Sequence, residues 1–541
     1  MELISQHTKA IMEGCKERAR AAGLRFDAES LEYIVTNRDL LELTPKAMIP
    51  TLYDYWVHDV EVLREKGRYE LYPNNPYETV INTRPAISFY NDNNPDWLNV
   101  MIFYHVLAHI DFFQNNLFFR HTWDFDLAGQ ALADKRLIAR LRSEKGRWVD
   151  YIIEFARGID NLVGYHRELS RQHRPQTTQT SARIDYYFDV FLQSERKVRP
   201  SEYLNEIARY NDCLKRYGKD VERCFFGEVL SRHPEFESLY EKSRQQHDSE
   251  RNDLLQFLLD HSPMLQREEN KWMKSVIEVV RKTSLYFQPQ IRTKIMNEGW
   301  ASYWHEKLFL QDERINGHEV EFARIHAGVT SLQRVGLNPY AIGLRMFQSI
   351  EEAANKGRYH DRFRRLQDAR ARRDYDAATG SGQATIFRVR EDYSDFTFVN
   401  EFVDQDFVDR HKLFVVGKRL NEARMVWEYY VKSRSAEAYR QMLMESIYHP
   451  PSITVDRART AGGPLYLNHR FEQRPLVQEF IGNTLIGIEY LWGGSVRLET
   501  SEVARINRPE AKPGKIEPAP DITWRRVVYE STQRKLTKVP A

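Results

Sequence analysis

NPDWLNVMIFYHVLAHIDFFQNNL, residues 94–117, carries the strongest secondary-structure signal in the chain. Its start has the residues of a helix N-terminus, because Asn94 can cap, Pro95 suits the first helical position and Asp96 suits the positive end of the helix dipole. Apolar residues then recur at the spacing of one helix face, namely Leu98, Met101, Ile102, Val106, Ile110, Phe113 and Leu117. The pattern predicts a long helix.

Three further helices have similar signals. One runs from about Glu268 to near Pro289, and the next starts after Thr293. The third opens at Asn338-Pro339, which is again a capping residue followed by a proline. Because such elements fill the first two-thirds of the chain, we expect residues 1–376 to form a large helical domain.

The pattern changes after residue 376. Residues 377–383, with the sequence AATGSGQ, are typical of a linker. Short strands and one helix then favour a smaller α/β domain over residues 384–505. The predicted strands are 385–389, 412–416 and 452–455, and the predicted helix is 436–447. Residues 506–541 are proline-rich, and we expect a flexible tail. The sequence therefore predicts a predominantly helical α+β fold.

The composition excludes several classes of protein. A hydrophobic fraction of 42% supplies a core, and the net charge of +2 lacks the basic excess of a protein that binds nucleic acid through its phosphates. Seven arginines lie between residues 358 and 373, but aspartates dilute their charge, so we interpret this segment as a solvated helix or linker. Residues 171–182 lack apolar periodicity, which indicates an exposed loop.

Three cysteines without a Cys-x-x-Cys pair argue against a disulfide scaffold and against a thiolate zinc site. No run of about 18 apolar residues indicates a membrane span. The first 23 residues mix apolar and charged side chains and lack the apolar core of a signal peptide. We therefore expect a cytoplasmic protein.

His105 and His109 stand four residues apart on the predicted helix, so both rings leave one face with β-carbons about 5–6 Å apart. Two neutral imidazoles in this arrangement can bind one metal ion, such as zinc, iron or nickel. Asn116 falls on the same stripe, whereas Asp111 lies roughly 200° away around the helix and is placed to cap or position a neighbour. The alternative interpretation is a histidine pair that is hydrogen-bonded inside an aromatic core.

The segment NEGWASYWH, residues 297–305, adds a carboxylate and a third histidine. Glu298 and His305 are two helical turns apart, a rise of about 10 Å, so a regular helix does not let both bind one ion. Small residues follow Glu298, so another helix can pack closely beside it. A buried carboxylate needs a partner, which is either a basic residue such as Lys294 or Arg292 or a cation held by the two histidines.

The word Asn-Glu-Gly-Trp-Ala at 297–301 resembles the Asn-Glu-Gly-Phe-Ala element of the zinc aminopeptidases among the gluzincins. In that element the Glu is the third zinc ligand, after a His-Glu-x-x-His helix. The resemblance implies a gluzincin-like site of His105, His109 and Glu298 with one position left for water. The chain departs from that pattern, because Val106 stands where the general-base Glu would lie and 189 residues separate His109 from Glu298. Another group, such as His305, would then act as base or proton carrier.

A longer resemblance covers about residues 30–360. Residues 105–116, HVLAHIDFFQNN, resemble the H-x-x-x-H-x-D-F-F-x-N-N signature of the SpoVR family of stage V sporulation protein R-like proteins. Three further words resemble that family in order and approximate spacing: YFQPQ at 286–290, MNEGWASYWH at 296–305 and GLNPYAIGLRMF at 336–347. One departure is Ala108, where the family usually has Gly.

The resemblance implies a role in forming the spore cortex, a peptidoglycan layer, or in stress responses, since members also occur in bacteria that do not sporulate. It further implies a PrkA-type serine kinase and a von Willebrand-like protein as partners. No biochemical activity follows from it.

Two functional hypotheses follow. In the first, the protein is a metal-dependent hydrolase, with His105, His109 and Glu298 as ligands of a divalent metal such as zinc. His305 is then either the proton carrier or a residue that supports a ligand. The substrate that the resemblance favours is a peptidoglycan precursor or other amide, and Asn116 and Asp111 would support the ligands. In the second, the protein is a regulatory or scaffold protein and the same polar cluster is structural. The missing base at Val106 favours the second hypothesis, and the presence of His, His and Glu in separate family words favours the first.

Overall fold

The computed structural model describes residues 2–27, 29–36, 39, 78–123, 127–164, 181–196, 198, 200–241, 253–332, 336–421, 425–461, 463–471, 474–507 and 521–540. The chain forms two compact units. The first contains Met1–Gly164 and Leu254–Ala541, and the second is Tyr165–Asp253. The division into a 1–376 domain, a 377–383 linker and a 384–505 domain stays a prediction.

The described residues are mainly helical and also form three sheets, which confirms the predicted α+β class. The helices are α1 Gln6–Ala21, α2 Asp96–Asn115, α3 Leu127–Lys145, α4 Trp148–Arg157, α5 Ala182–Asp185, α6 Pro200–Tyr217, α7 Val221–Arg232, α8 Leu254–His261, α9 Lys271–Arg292, α10 Lys294–Phe309, α11 Glu319–Val329, α12 Pro339–Asn355, α13 Asp361–Arg364, α14 Ala369–Asp374, α15 Gly382–Asp392, α16 Asp395–Phe402, α17 Gln405–Arg410, α18 Ala436–Ser446, α19 Arg457–Thr460 and α20 Gln478–Trp492. None of these helices is long and apolar enough to cross a membrane.

The strands are β1 Glu2–Leu3, β2 Ser30–Val35, β3 Glu78–Ile81, β4 Ala86–Asn91, β5 Val415–Asn421, β6 Val426–Ser433, β7 Ser452–Val455, β8 Leu465–Arg470, β9 Val496–Asn507, β10 Asp521–Thr532 and β11 Lys535–Pro540. The N-terminal sheet has the order β1-β2-β4-β3, with β2 parallel to β4. The C-terminal sheet has the order β11-β10-β9-β8-β7, with β8 parallel to β9. Strands β5 and β6 pair as a separate antiparallel ribbon.

Helix α2 is the centre of the first unit. Every residue from Leu98 to Phe113 is buried, as expected of a helix that is surrounded by other elements rather than lying at a surface. Helices α1 and α10 pack against it. The predicted helix is confirmed, although its first residue is Asp96 and Pro95 occupies the capping position.

Helices α10 and α12 approach each other closely at two glycines. A β-carbon on Gly299 would lie 2.4 Å from backbone atoms of Gly343, and one on Gly343 would lie 2.1 Å from the carbonyl oxygen of Ile295. The side chain of Asn338 caps α12 by accepting hydrogen bonds from the backbone N–H groups of Tyr340 and Ala341, as the sequence predicts. The small residues after Glu298 therefore admit a neighbouring helix, which is the packing that we expected.

The boundary between α9 and α10 differs slightly from expectation. Helix α9 continues through Pro289 to Arg292 instead of ending near the proline, and the hydroxyl of Thr293 donates to the Pro289 carbonyl. Only Thr293 separates the two helices, so α10 begins where the sequence predicts.

The C-terminal sheet shares its hydrophobic core with helices from both parts of the first unit. Buried residues of α3, α4, α8 and α9 join those of α20 and of strands β8, β9 and β10 in one cluster. Strands β10 and β11 contradict the expected flexible tail, since residues 521–540 pair with β9 and with each other. The strands are ordered by backbone hydrogen bonds to each other and to β9. The prolines of the neighbouring sequence suggest a tail because such long-range pairing is not visible in the local sequence. Residues 508–520 lie outside the described residues.

Two other local predictions are corrected. Residues 385–389 lie in helix α15 and not in a strand, and Ile386 and Val389 are buried at a helical spacing. A run of five mostly apolar residues fits both the helical and the strand periodicity, so tertiary packing decides which structure forms. The strand expected at 412–416 is β5, which starts at Val415, whereas the strand at 452–455 and the helix at 436–446 are confirmed.

The arginine-rich segment forms two short helices, α13 and α14, rather than one. Arg370 is exposed, but the guanidinium of Arg372 lies over the Phe363 ring and donates to the carbonyls of Phe363 and Leu366. Part of this segment therefore folds back on itself. The loop expected at residues 171–182 lies largely outside the described residues.

The second unit, where it is described, has an aromatic core of its own. Residues 186–195 form a π-helix, and Tyr187, Phe191, Phe225 and Phe236 pack together as buried rings. The Arg209 guanidinium covers the Phe225 ring and forms an ion pair with Glu206.

Candidate metal centre

His105 and His109 project from the same face of α2 and meet Glu298 of α10. The two rings are perpendicular, with centroids 4.6 Å apart, and both side chains are buried. One ligand atom from each of His105, His109 and Glu298 lies within 4.8 Å of the other two. The structure thus brings together the three residues that the sequence singles out, close to the spacing that one cation with bonds of about 2.0–2.2 Å requires.

Glu298 has no basic partner of the kind that we considered. Among the described residues, no lysine or arginine forms an ion pair with it, and Lys294 is exposed. Arg292 is instead partly buried near Tyr448, and desolvation of its guanidinium lowers the pKa of that group to about 10. The Oε2 atom of Glu298 lies 3.6 Å from His109 Nε2 and has no hydrogen-bond partner although it is buried. Such an orphaned carboxylate oxygen is costly unless a cation accompanies it.

The orientation of His109 is fixed by the residue next to Glu298. The Nδ1 atom of His109 lies 2.8 Å from Asn297 Oδ1. Because an amide oxygen only accepts, Nδ1 carries the hydrogen and Nε2 presents its lone pair toward Glu298. This is the usual support of a metal-binding histidine. Sequence reasoning missed Asn297, although it is part of the NEGWA word.

His105 is held by a line of hydrogen-bonding side chains. Its Nδ1 lies 2.8 Å from His305 Nδ1, and His305 Nε2 lies 2.8 Å from His326 Nδ1. The hydrogen bonds end at His326, and Glu306 lies beyond it with Oε1 3.7 Å from His326 Nε2, which is longer than a hydrogen bond. A neutral His105 with hydrogen on Nδ1 donates to His305, which then donates to His326, and this leaves His105 Nε2 as the nitrogen for an ion.

The histidines are suited to this arrangement because they stay neutral. Burial, followed by the proximity of His109 and His305, lowers the pKa of His105 well below its ordinary value. Burial, followed by the proximity of His326, has the same effect on the pKa of His305. Neutral imidazole is the form that binds metals, so no proton must leave the His105 ring before an ion enters.

Tyr340 of α12 completes the wall of the site, and sequence reasoning also missed it. Its ring stacks on His105, with centroids 6.2 Å apart and planes 17° apart. Burial, followed by the charge of Glu298, raises the pKa of the Tyr340 hydroxyl, which therefore stays protonated and can donate beside that carboxylate. The available signal was the word GLNPY at 336–340, in which Tyr340 follows the capping residue Asn338 and Pro339.

His305 supports His105, whereas Asn116 has a place that differs from its predicted role. His305 contacts Nδ1 of His105 and is not one of the three residues whose ligand atoms converge. The amide of Asn116 donates to the carbonyls of Arg390 and Tyr393 and forms no hydrogen bond with His105, His109 or Glu298. The predicted role of Asn116 is corrected for a physical reason: α2 ends at Asn115 and residue 116 has extended backbone, so the helical stripe does not reach it.

Asp111 positions a neighbour, as its place on the opposite face of α2 indicates. Its carboxylate accepts hydrogen bonds from Trp300 Nε1, at 2.8 Å, and from the backbone of Arg25, at 2.7 Å, and the buried Arg390 lies 3.4 Å away. Trp300 is two residues from Glu298, so Asp111 ties α10 to α2. A second carboxylate, Asp395, accepts from the backbone N–H groups of Ile295 and Met296 and caps the start of α10.

Two neutral imidazoles and one carboxylate form a donor set that suits zinc, and the fourth position is left to water or substrate. The set fits the site, because the orphaned oxygen of Glu298 faces the ring nitrogen of His109. The position of the gluzincin general base is occupied by Val106, which is fully buried and cannot accept a proton.

Comparison with known proteins identifies relatives but no activity. The family model described as "SpoVR like protein" matches residues 3–449. The chain is 24% identical over 494 residues to the Uncharacterized protein YcgB of Escherichia coli (strain K12), and the match covers 86% of each chain. No solved structure matches the chain. Since the family model spans most of the sequence and includes all the residues of the candidate site, the chain belongs to the SpoVR family.

Proposed function

We propose that this protein is a metal-dependent hydrolase whose metal ligands are His105, His109 and Glu298. The observation that carries the proposal is the convergence of Glu298 on the imidazoles of His105 and His109. Glu298 pairs with no lysine or arginine that the structure describes, and its buried Oε2 has no hydrogen-bond partner. A zinc ion bound there would supply Lewis acidity and would lower the pKa of a water molecule. The remaining chemistry falls to side chains of this chain.

Each neighbouring side chain has a definite task in this proposal. Asn297 and His305 hold the two imidazoles in the tautomers that present Nε2. The protonated hydroxyl of Tyr340, beside Glu298, can donate a hydrogen bond to an oxygen that gains negative charge. His305 is separated from the ion position by His105, so any proton that it carries passes through that ring. The proposal therefore assigns to His305 a supporting and relaying role rather than direct contact with substrate.

The substrate class and the setting rest on family membership. We propose an amide-containing substrate, with peptidoglycan precursors as the first choice, and a role in spore cortex formation or in a stress response. We also propose that the protein works in the cytoplasm with a PrkA-type kinase and a von Willebrand-like partner.

One observation favours a second candidate function. Val106 stands where a gluzincin has its general base, so this site lacks the glutamate that activates water in that class of enzymes. If the ion only joins α2 to α10, the protein is a regulatory or scaffold protein that works with the kinase system. In that case metal binds, but no amide is hydrolysed.

Hydrolysis of a panel of amide substrates, including peptidoglycan peptides, tests the proposal. The protein is stripped with a chelator and reloaded with zinc, and Glu298→Gln is compared with Glu321→Gln, a change at an exposed glutamate of α11. We expect activity that zinc restores in wild type and in Glu321→Gln but not in Glu298→Gln. Zinc binding without hydrolysis of any member of the panel would favour the scaffold hypothesis instead.

A further inference from the structure

A cavity lies beside the C-terminal sheet, and no residue of the candidate metal centre lines it. It has a volume of about 500 Å³ and lies among the residues that follow α4, helices α8 and α20, and strands β7, β8 and β9. Its floor is aliphatic, and the side chains of Ile159, Leu467, Leu485, Ile488 and Leu498 there are at most 4% exposed. An apolar cavity of this kind takes apolar ligands, because water gains few hydrogen bonds inside it.

The mouth of the cavity has a different chemistry from its floor. Arg470 and Arg474 lie in the lining, and no aspartate or glutamate is among the described residues that line it. Arg474 donates to the carbonyl of Met444, and Arg470 is exposed and forms no ion pair with any residue that the structure describes. The mouth therefore carries positive charge that no carboxylate among the described lining residues neutralises.

Two large apolar side chains stand exposed at the same mouth. Val477 is 57% exposed and Phe480 is 62% exposed, and both line the cavity. They belong to the start of α20, where Val477 occupies the capping position without a side-chain hydrogen bond. The positive end of this helix faces the same region as the arginines. Exposed apolar residues beside a cation and an apolar cavity indicate a ligand with an apolar part and an anionic part.

We propose that this cavity binds a single-chain amphiphile with an anionic headgroup, such as a fatty carboxylate. The chain would lie on the aliphatic floor between α20 and the sheet, and the headgroup would lie at Arg470 and Arg474. A volume of about 500 Å³ is in the lower half of the range of small-ligand pockets, roughly 300–1,000 Å³, so one acyl chain fits better than a two-chain lipid. This proposal is independent of the metal centre.

Calorimetric titration of the full chain with three probes tests this proposal. Dodecanoate has both the chain and the charge, dodecan-1-ol has the chain alone, and butanoate has the charge with a short chain. We expect saturable binding of one dodecanoate per chain, with dodecanol at least about tenfold weaker because it lacks the charge-assisted hydrogen bonds. Butanoate should give no measurable heat. Equal affinity for dodecanoate and dodecanol would overturn the proposed anionic headgroup site.

Variants locate the binding. Thr484→Phe fills the cavity from α20 and should abolish dodecanoate binding, whereas Arg470→Gln should weaken it by about tenfold. Arg525→Gln, at an exposed arginine of β10 outside the lining, is the matched control and should bind as wild type does. Arg470 is at the surface, so its variant remains informative even if Thr484→Phe does not fold. Dodecanoate binding that Arg470→Gln leaves unchanged would contradict the proposal, as would wild type that cosediments with phosphatidylglycerol vesicles but does not bind free dodecanoate.

Discussion

The contact between Gly299 and Gly343 gives a prediction that links the fold to the site. An alanine at position 343 places its β-carbon 2.1 Å from the Ile295 carbonyl oxygen and 2.6 Å from the Gly299 Cα, whereas ordinary contact begins at 3.4 Å. The nearest atoms are backbone, so no side chain can rotate away. Both contacts are about 1 Å shorter than the 3.4 Å at which ordinary contact begins, so helices α10 and α12 must separate by about that distance.

The separation should cost both stability and metal affinity. Overpacking of this kind typically costs about 1–3 kcal/mol, and a clash with backbone belongs at the upper end of that range. The higher helix propensity of alanine returns up to about 1 kcal/mol, so we expect a net loss of about 2 kcal/mol in the free energy of unfolding. Since Glu298 is adjacent to Gly299, a shift of this size also exceeds the tolerance of about 0.2 Å on a metal–ligand distance.

Denaturant unfolding of Gly343→Ala, with and without zinc, measures both effects. The matched control is Gly328→Ala in α11, where an added β-carbon meets nothing within 4 Å and should be neutral or stabilising by up to about 1 kcal/mol. Wild type should gain stability from zinc, and Gly343→Ala should gain much less. A Gly343→Ala protein that matches Gly328→Ala in stability and in its response to zinc would refute the reasoning.

Three further predictions concern the support of the site and the arginine-rich segment. Burial raises the pKa of Asp395 to about 7. The stability that the protonated carboxyl group contributes is therefore fully present below about pH 4 and is lost as the pH rises through about 7. Asp395→Asn should flatten this part of the pH–stability curve, and an unchanged curve would show that the pKa of Asp395 is not raised. Asn297→Ala removes the acceptor for His109 Nδ1 and should weaken zinc affinity by about 10–100-fold in a chelator competition titration, whereas wild-type affinity would show that the contact is dispensable. The segment 358–373 should show no salt-sensitive binding to DNA or RNA in a titration over ionic strength, and binding that is lost when its arginines are neutralised would show that prediction wrong.

The sequence is most informative where local rules act. The caps and periodicity of α2 and α12 depend on neighbouring residues, so both helices are predictable. The pairing of Glu298 with the histidine helix follows from the chemistry of a buried carboxylate and from the resemblance to known metal sites. The short-range pattern also places α10 directly after Thr293.

Long-range packing accounts for what the sequence does not reveal. His326 lies on α11, away from the family words, and it becomes part of the site only because α11 packs beside His305. Tyr340 reaches Glu298 because α10 and α12 meet at two glycines. Strand β10 depends on its pairing with β9, which lies on the other side of a segment of low periodicity, and β11 depends in turn on β10. The sequence of this region alone therefore predicts a tail.

The most direct test of the metal centre is the metal content of the chain purified without a histidine tag and measured by elemental analysis. We compare wild type with Glu298→Gln and His105→Ala, and with the control variants Glu321→Gln and His360→Ala at exposed positions. The account predicts about one divalent metal ion per chain in wild type and in both controls, and a sharp loss in Glu298→Gln and in His105→Ala. Metal content that is the same in all five proteins, or absent from wild type after reloading with zinc, would contradict the metal centre.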